Sequence, residues 1–337
     1  MKKKLGIINS DPKECTYGGV APIMRNMHPF LNDAFDITYY YIPASWRKFP
    51  IPGRVKMMIY ILLHFNNIRK NDFILSHIPE GSFLASFMKK PFAHIFHGNS
   101  NPMSVSKYWY GKYFSAFFEL FEKRITKTCP LIYTVGPVVG NRKKLYNPIK
   151  HNIKPTPIEE RNGFIFAGRL EAVKNIDHII RIYATLPSEI KGKNKLFIAG
   201  DGSLRADLEE LAKKLGEEEN IVFTGTLTND ELVYLDSQRL ILIMASTTEG
   251  LPTAIAEAFS VGVPVVSTNV GDISRVVKNN INGFLFPLDY KDFDYHNAIK
   301  DILNNYQFFS TNALNTSKIF DAEKVTNGVI NDIKQLI

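Results

Sequence analysis

The sequence predicts an α/β protein built as two doubly wound, parallel-sheet domains in tandem. Three observations carry that prediction. Short apolar runs of strand length alternate with amphipathic segments of helix length along most of the chain. Near the midpoint a stretch with three prolines and little apolar periodicity, Asn147 to Gly163, interrupts the alternation. Beyond it the same rhythm resumes, more cleanly than before. Strands joined through helices must pair in parallel, with helices covering both faces of the sheet. A chain of 337 residues with 45% hydrophobic content supplies two cores of ordinary size.

Taken in order, KLGIIN is a first buried strand, followed by a loop holding Tyr17, Gly18 and Gly19. APIMRNMHPFLNDA reads as a helix, FDITYYYI as a strand, and RVKMMIYILLHFNNIRK as one helix with Met57, Ile61 and Phe65 at four-residue steps. DFILSHI and FAHIFHG are short apolar strands, KYWYGKYFSAFFELFEKRITK is a long aromatic helix, and LIYTVG closes the first set. The stretch from Asn147 to Gly163 is read as the linker.

The second set contains GFIFAGRL, a helix from Asn175 to Leu186, KLFIAGDG, a helix from Ser203 to Leu215, NIVFTGTL, and a short helix from Asn229 to Ser237. LILIMAS, a helix beginning at Pro252, PVVSTNVG and GFLFP complete it. Proline suits the first helical position because its missing N–H has no intrahelical acceptor there. The last segment places Val325, Val329, Ile333 and Leu336 on one helical face, which has to be buried somewhere. Two such domains place a ligand crevice at the carboxyl ends of their strands.

Composition narrows the class. Two cysteines, Cys15 and Cys129, form neither a disulfide framework nor a metal cluster, which fits a reducing cytoplasm. MKKK followed by LGIINSD turns polar too soon for a signal peptide, and MMIYILLHF falls short of the ~20 residues that span a bilayer, so no transmembrane helix is expected. The net charge of +8 is unevenly distributed. Residues 1–150 carry 22 basic and 8 acidic side chains, +14, while residues 151–337 carry 19 and 25, −6. The basic half fits anionic lipid, nucleic acid or a phosphorylated substrate.

The densest cluster of chemistry-bearing residues is STTEGLPTAIAEAFSVGVPVV, Ser246 to Val266. Glu249 and Glu257 stand eight residues apart around a Gly-Leu-Pro turn, so both can address one ligand from one side. A helix start between them favours phosphate by about 0.3–1 kcal/mol through its dipole, besides hydrogen bonds. GRLEAVKN places Arg169 and Lys174 past a strand end, a planar fork and a compact charge suited to a diphosphate. Each feature alone is common: bases at a strand exit are usually solvated, Gly200-Asp201-Gly202 is a tight turn, and a lone His97 before Gly98 is more often structural. Asp292 and Asp294 read as a charged helix start. No G-x-G-x-x-G follows a strand and no Walker sequence occurs, which argues against a dehydrogenase or a P-loop enzyme.

GRLEAVKN, GDG, FTGTL and EGLPTAIAEAFSVGVPVV, in this order and spacing, resemble the donor domain of the retaining glycosyltransferases of family four, the glycosyl transferases group 1, with the two-domain GT-B fold. The likeness is strong over residues 163–287 and rests in the first half on Tyr17-Gly18-Gly19 and His97-Gly98. It implies two Rossmann-like domains facing across a cleft. Residues 1–150 would bind acceptor, residues 151–319 would bind a nucleotide-sugar donor, and a C-terminal helix over 320–337 would return to the first domain.

By position, the resemblance makes Glu249, His97, Lys174 and Arg169 the catalytic set. Arg169 and Lys174 would hold the donor diphosphate, Glu249 the sugar hydroxyls and Glu257 the ribose hydroxyls. The backbone of Gly250, Leu251, Pro252 and Thr253 would bind phosphate from one side, with Gly19, beside Gly18, on the other. Leu227 would edge the base, and His97 would contact the transferred sugar. The E-x(7)-E pair of the family matches Glu249 and Glu257, whereas its Gly-Gly and a later Glu are replaced here by Gly271-Asp272 and Arg275.

Such enzymes are thought to retain configuration without a protein nucleophile. The leaving phosphate helps take the acceptor proton, and the protein contributes positioning and charge stabilisation. The expectation is therefore a UDP- or GDP-sugar donor, a glycan or lipid-linked acceptor in bacterial surface polysaccharide synthesis, and no metal or cofactor. WRKFPIPGRVKMMIYILLHF, FMKKPF and SKYWYGKYF interleave bases with aromatics, the composition of a surface resting on anionic lipid. A peripheral enzyme at the inner face of the cytoplasmic membrane is thus expected. Nucleic acid is not, because no recognised reading motif is present. A catalytically silent glycan- or partner-binding subunit of the same fold is the alternative, and the joint presence of Arg169, Lys174, Glu249 and Glu257 argues against it.

Overall fold

A computed structural model describes residues 2–10, 20–97, 111–136 and 138–337. The chain divides into two compact units: unit 1 is Met1–Pro148 with Ala322–Ile337, and unit 2 is Ile149–Asp321.

Unit 1 contains strands β1 (Lys4–Ile8), β2 (Asp36–Tyr40), β3 (Phe73–Ser76), β4 (Phe92–Phe96), β5 (Leu131–Thr134) and β6 (Lys143–Lys144). Helices α1 (Val20–Ala34), α2 (Ala44–Arg47), α3 (Gly53–Leu63), α4 (Phe65–Ile68), α5 (Pro79–Ala85) and α6 (Gly111–Thr128) connect them. The strands form one parallel sheet in the order β2-β1-β3-β4-β5-β6. Leu5, Ile7, Phe73, Leu75, Ala93 and Ile95 point into one core, while Ile8, Ile74, Phe92 and Ile132 point into the core on the other face. Strands buried on both faces read as continuous apolar runs, as FILS and LIYT do here.

Unit 2 contains β7 (Phe164–Ala167), α7 (Ile176–Ala184), α8 (Ser188–Lys191), β8 (Leu196–Ala199), α9 (Arg205–Lys214), β9 (Ile221–Gly225) and α10 (Asn229–Ser237). It continues with β10 (Ile241–Ile243), α11 (Thr253–Ser260), β11 (Val265–Thr268), α12 (Ile273–Val276), β12 (Gly283–Phe286), α13 (Asp292–Asn304) and α14 (Tyr306–Ser317). Its parallel sheet has the order β12-β11-β10-β7-β8-β9. The order reverses where β7 meets β10, and that is the switch point at which open α/β sheets bind ligands.

The final helix, α15 (Ala322–Lys334), completes unit 1. Val329, Ile330 and Ile333 enter the core beneath α1, and Asp332 accepts hydrogen bonds from Tyr133 and Lys143 at 2.7 and 2.9 Å. The expected face is rotated slightly. Thr326 and Ile330 share the buried side with Val329 and Ile333, whereas Leu336, beyond the end of the helix, is exposed.

Three further local differences have physical reasons. The helix expected over residues 54–70 breaks at His64, whose φ of −101° and ψ of 10° leave the helical range while its Nδ1 lies 2.8 Å from the Tyr60 carbonyl. Pro252 is the N-cap with ψ of 131°, and α11 starts one residue later. The stretch read as a linker belongs with unit 2 from Ile149 onward. There Arg161 is buried, donating to the Thr156, Gly262 and Val261 carbonyls and to the Tyr306 hydroxyl, and Ile149 donates to Phe320 O at 2.7 Å.

Candidate functional site

The loops after β7 and β10 flank the unit 2 switch point, and each delivers one member of an ion pair. After β7 the chain turns through Gly168 to Leu170 and a short 3-10 turn, Ala172–Lys174. After β10 it passes Ser246 and turns at Glu249. Lys174 Nζ donates to Glu249 Oε1 at 2.6 Å, and Ser246 Oγ donates to the same oxygen at 2.8 Å. The two side chains are only 17% and 10% exposed, so the pair is largely desolvated and held by both loops. Thr247 N, donating to Val173 O at 2.9 Å, ties the loops together a second time.

Close backbone crossings make this arrangement possible. A Cβ on Gly200 would lie 1.9 Å from the Gly168 carbonyl oxygen, so the GDG turn after β8 fits against the β7 exit only as glycine. Gly271, at φ +60°, would likewise place a Cβ 2.2 Å from Glu249 O and 2.5 Å from Gly250 O. Asp272 N donates to Gly250 O at 2.8 Å, so the turn after β11 braces the turn that carries Glu249. The two departures from the family pattern are bonded to each other: Arg275 Nε donates to the buried Asp272 carboxylate at 2.9 Å.

Helix α11 begins directly after this turn, with Pro252 as a cap that contributes no side-chain hydrogen bond. The orphan amides of a first helical turn form an anion site when no side chain fills them. Leu251 is buried, Gly250 and Thr253 are partly exposed, and nothing lies within 4 Å of the position a Gly250 Cβ would take. Glu257 sits about one turn along α11 and is 4% exposed. Asn229 Nδ2, in the first turn of α10, donates to Glu257 Oε1 at 2.7 Å. Burial raises the Glu257 carboxyl to about 7, with the Asn229 bond opposing it.

Asp236, which the sequence reading did not single out, is fully buried on α10, and neither carboxylate oxygen has a hydrogen-bond partner among the described residues. Burial and then the Glu257 charge push it well above the usual carboxylate range, against Arg239. Its sequence signal was its position three residues after the buried Val233, on one helical face.

Arg169 and Leu227 lie at the same edge of the sheet, after β7 and β9, without joining the ion pair. The Arg169 guanidinium is 76% exposed and donates to Glu171 at 2.7 Å, and Leu227 is half-buried, two residues after Gly225. Asp292 is the first residue of α13 and lies 2.9 Å from His178 Nε2, while Asp294 accepts from the N-cap Lys291 N at 2.8 Å, as befits a charged helix start.

In unit 1, His97 follows β4 directly and is partly exposed. It is not alone. Its Nε2 lies 2.9 Å from Nδ1 of His77, which follows β3, and the two rings stack at 5.1 Å. His94 on β4 lies 2.8 Å from Ser82 Oγ through its Nδ1. Burial pushes His97 down to about 4 and His94 down to about 3, the latter helped by the charges of His97 and Arg142 and opposed by a backbone bond at Ser76. Burial, His97 and His94 together push His77 well below the usual imidazole range. All three rings are therefore neutral at pH 7. Gly18, Gly19 and Gly98 lie outside the described residues.

Residues 149–316 match the model of the glycosyl transferases group 1 family. Among curated relatives, the chain is 32% identical over 132 residues to the Campylobacter jejuni GalNAc-alpha-(1->4)-GalNAc-alpha-(1->3)-diNAcBac-PP-undecaprenol alpha-1,4-N-acetyl-D-galactosaminyltransferase, covering 39% of this chain and 36% of that one. For three other curated glycosyltransferases the chain spans 42%, 35% and 34% of their length, well under two thirds in each case. Among solved structures, sucrose-phosphate synthase from Thermosynechococcus elongatus superposes with a TM-score of 0.79 at 15% identity, over 99% of both chains. Anabaena Alr3699/HepE in complex with UDP superposes with a TM-score of 0.74 at 16% identity, over 99% of this chain and 100% of that one. The fold is GT-B, with two six-stranded parallel sheets covered by helices.

Proposed function

We propose that this chain, with its group 1 glycosyltransferase domain, is a retaining, metal-independent glycosyltransferase that moves a sugar from a UDP- or GDP-sugar to a glycan or lipid-linked acceptor of a bacterial surface polysaccharide. The observation that carries the reading is the Lys174–Glu249 pair, set at the unit 2 switch point and leading straight into the N-terminus of α11. An ammonium and a helix start suit a diphosphate. A carboxylate held between them by Ser246 and Lys174 suits sugar hydroxyls.

In this reading Lys174, Arg169 and the backbone N–H groups of Gly250, Leu251 and Thr253 stabilise the departing diphosphate, and Glu249 fixes the sugar. Glu257 accepts from the ribose hydroxyls, which favour its charged form and pull its titration down from about 7. Leu227 edges the base, and His97 contacts the transferred sugar. The leaving phosphate takes the acceptor proton, so no side chain here acts as nucleophile or general base. The UDP bound by the Anabaena relative and the undecaprenol-linked acceptor named for the Campylobacter relative support the donor and acceptor classes.

The reading includes a peripheral position on the cytoplasmic face of a membrane. Among the described residues no helix is long and apolar enough to cross one. Helix α3, however, turns Met57 and Ile61 inward while Val55, Ile59, Leu62 and Leu63 stay exposed, with Phe49 and Ile51 just ahead of it. Lys48, Arg69 and Lys70 flank that stripe and are exposed too. An exposed apolar stripe bordered by bases is the pattern of a surface that settles on anionic lipid.

The test is a panel of UDP-, GDP- and ADP-sugars screened by thermal shift, followed by hydrolysis of the best binder. Stabilisation by one UDP- or GDP-sugar, lost in Lys174→Ala and Glu249→Ala, supports the assignment. No stabilisation by any of them, or wild-type binding by both variants, refutes it.

A further inference from the structure

Nothing in the sequence reading gave His97 a partner, yet it has one. His77 and His97 follow adjacent parallel strands, β3 and β4, and His77 lies at the unit 1 switch point, where the strand order reverses between β1 and β3. Their 2.9 Å contact joins two imidazoles that are neutral at pH 7. A neutral imidazole has one N–H and one bare nitrogen, so the contact contains a single proton and the two rings must adopt complementary tautomers.

The choice between them is set by the far side of His77. Its Nε2 is buried and has no partner among the described residues, and the residue is 4% exposed. Were His97 the donor, His77 would carry its own proton on Nε2 and bury an N–H without an acceptor. With His77 as donor, only a bare ring nitrogen is left unpaired. Orphaned buried N–H groups are the rarer defect.

We propose that His77 is a positioning residue for His97: His77 Nδ1–H donates to His97 Nε2, fixes its ring, and leaves its proton on Nδ1, where it is presented as a donor to a sugar oxygen. The stacking of the rings at 18° between planes restricts His97 rotation further. This rests on the reading of His97 as the sugar contact, and the experiment separates the two.

The full chain, uniformly 15N-labelled and ligand-free, is examined by long-range proton–nitrogen correlation of its imidazoles, with His97 assigned by its loss in His97→Gln. The expected wild-type pattern has the His97 proton on Nδ1. In His77→Asn the side-chain amide can still donate, and the pattern persists. In His77→Leu the fixed tautomer is lost, and kcat on the nucleotide sugar selected by the thermal-shift panel falls about 10-fold or more with KM little changed, the loss being largely restored in the Asn variant. A wild-type proton on Nε2, or an unchanged His97 pattern in His77→Leu, overturns the proposal. If the Leu variant does not fold, the wild-type and Asn patterns still decide. Turnover that is insensitive to His97→Gln while the tautomers behave as stated overturns the role of His97 and leaves the positioning intact.

Discussion

Replacing Lys174 by alanine leaves the Glu249 carboxylate in a largely buried loop with, among the described residues, only the Ser246 hydroxyl as a side-chain donor. Breaking a fully buried pair on one side costs about 3–5 kcal/mol, and the residual exposure of this one reduces that to about 2 kcal/mol. For a unit the size of Ile149–Asp321, 2 kcal/mol corresponds to about 4–8 °C in Tm. Removing the same ammonium from a donor diphosphate loses a charge-assisted bond of about 1.5–3 kcal/mol, or roughly 10- to 150-fold in Kd. Because Lys174 also holds Glu249, the two effects are coupled. A double-mutant cycle with Lys174→Ala and Glu249→Gln, read by urea unfolding and by calorimetric titration of the donor, should give a coupling energy of about 1–2 kcal/mol in each. Additivity within about 0.5 kcal/mol in both measurements would refute the idea that the pair acts as a unit.

Glu257, with a folded value of about 7, keeps a proton that the unfolded chain has already lost, so stability should fall as pH rises from about 4.5 to 7 and level off above. Glu257→Gln should remove Glu257's share of that slope and be more stable at pH 8 by on the order of 2–3 kcal/mol, as read by urea unfolding across pH; the buried Asp236 contributes a slope in the same direction that the variant retains. Gly271→Ala should cost more than about 1–3 kcal/mol and abolish donor-induced thermal stabilisation, since its Cβ would displace the Glu249 and Gly250 carbonyls. Leu62→Glu combined with Leu63→Glu should leave Tm within about 1–2 °C, because both side chains are more than half exposed, while cutting flotation with anionic liposomes; equal flotation would remove α3 from the membrane reading.

The parts of this molecule that were legible in the sequence are those fixed by local pattern. Runs such as FIFA and VVST read as strands buried on both faces, and the short helix expected from Asn229 to Ser237 is α10 as it stands. Residues at strand exits could be picked out because a parallel sheet gathers them at one edge. What pairs with what across that edge was not legible. The strand order that brings β7 beside β10, and so Lys174 to Glu249 across 75 positions, depends on the whole sheet. The same holds for His77 and His97, which are neighbours only because β3 and β4 are. Short helices with polar residues turned inward, such as α5 with Glu80 and Ser82 buried, lack the apolar stripe that reveals longer ones. The proline-rich stretch misled for a related reason: Arg161 is polar in sequence but, with four hydrogen bonds, buried in structure.

The return of α15 to unit 1 has a consequence for how the chain is made. Unit 2 is one continuous segment, and every residue of its core has been synthesised once Asp321 has left the ribosome. Unit 1 begins earlier but lacks Val329, Ile330 and Ile333, and with them part of the core that α1 covers on one face of its sheet. The usual order of vectorial folding, in which the first domain synthesised closes first, is therefore expected to reverse here. On a nascent chain stalled before α15, unit 2 should resist protease while unit 1 remains susceptible.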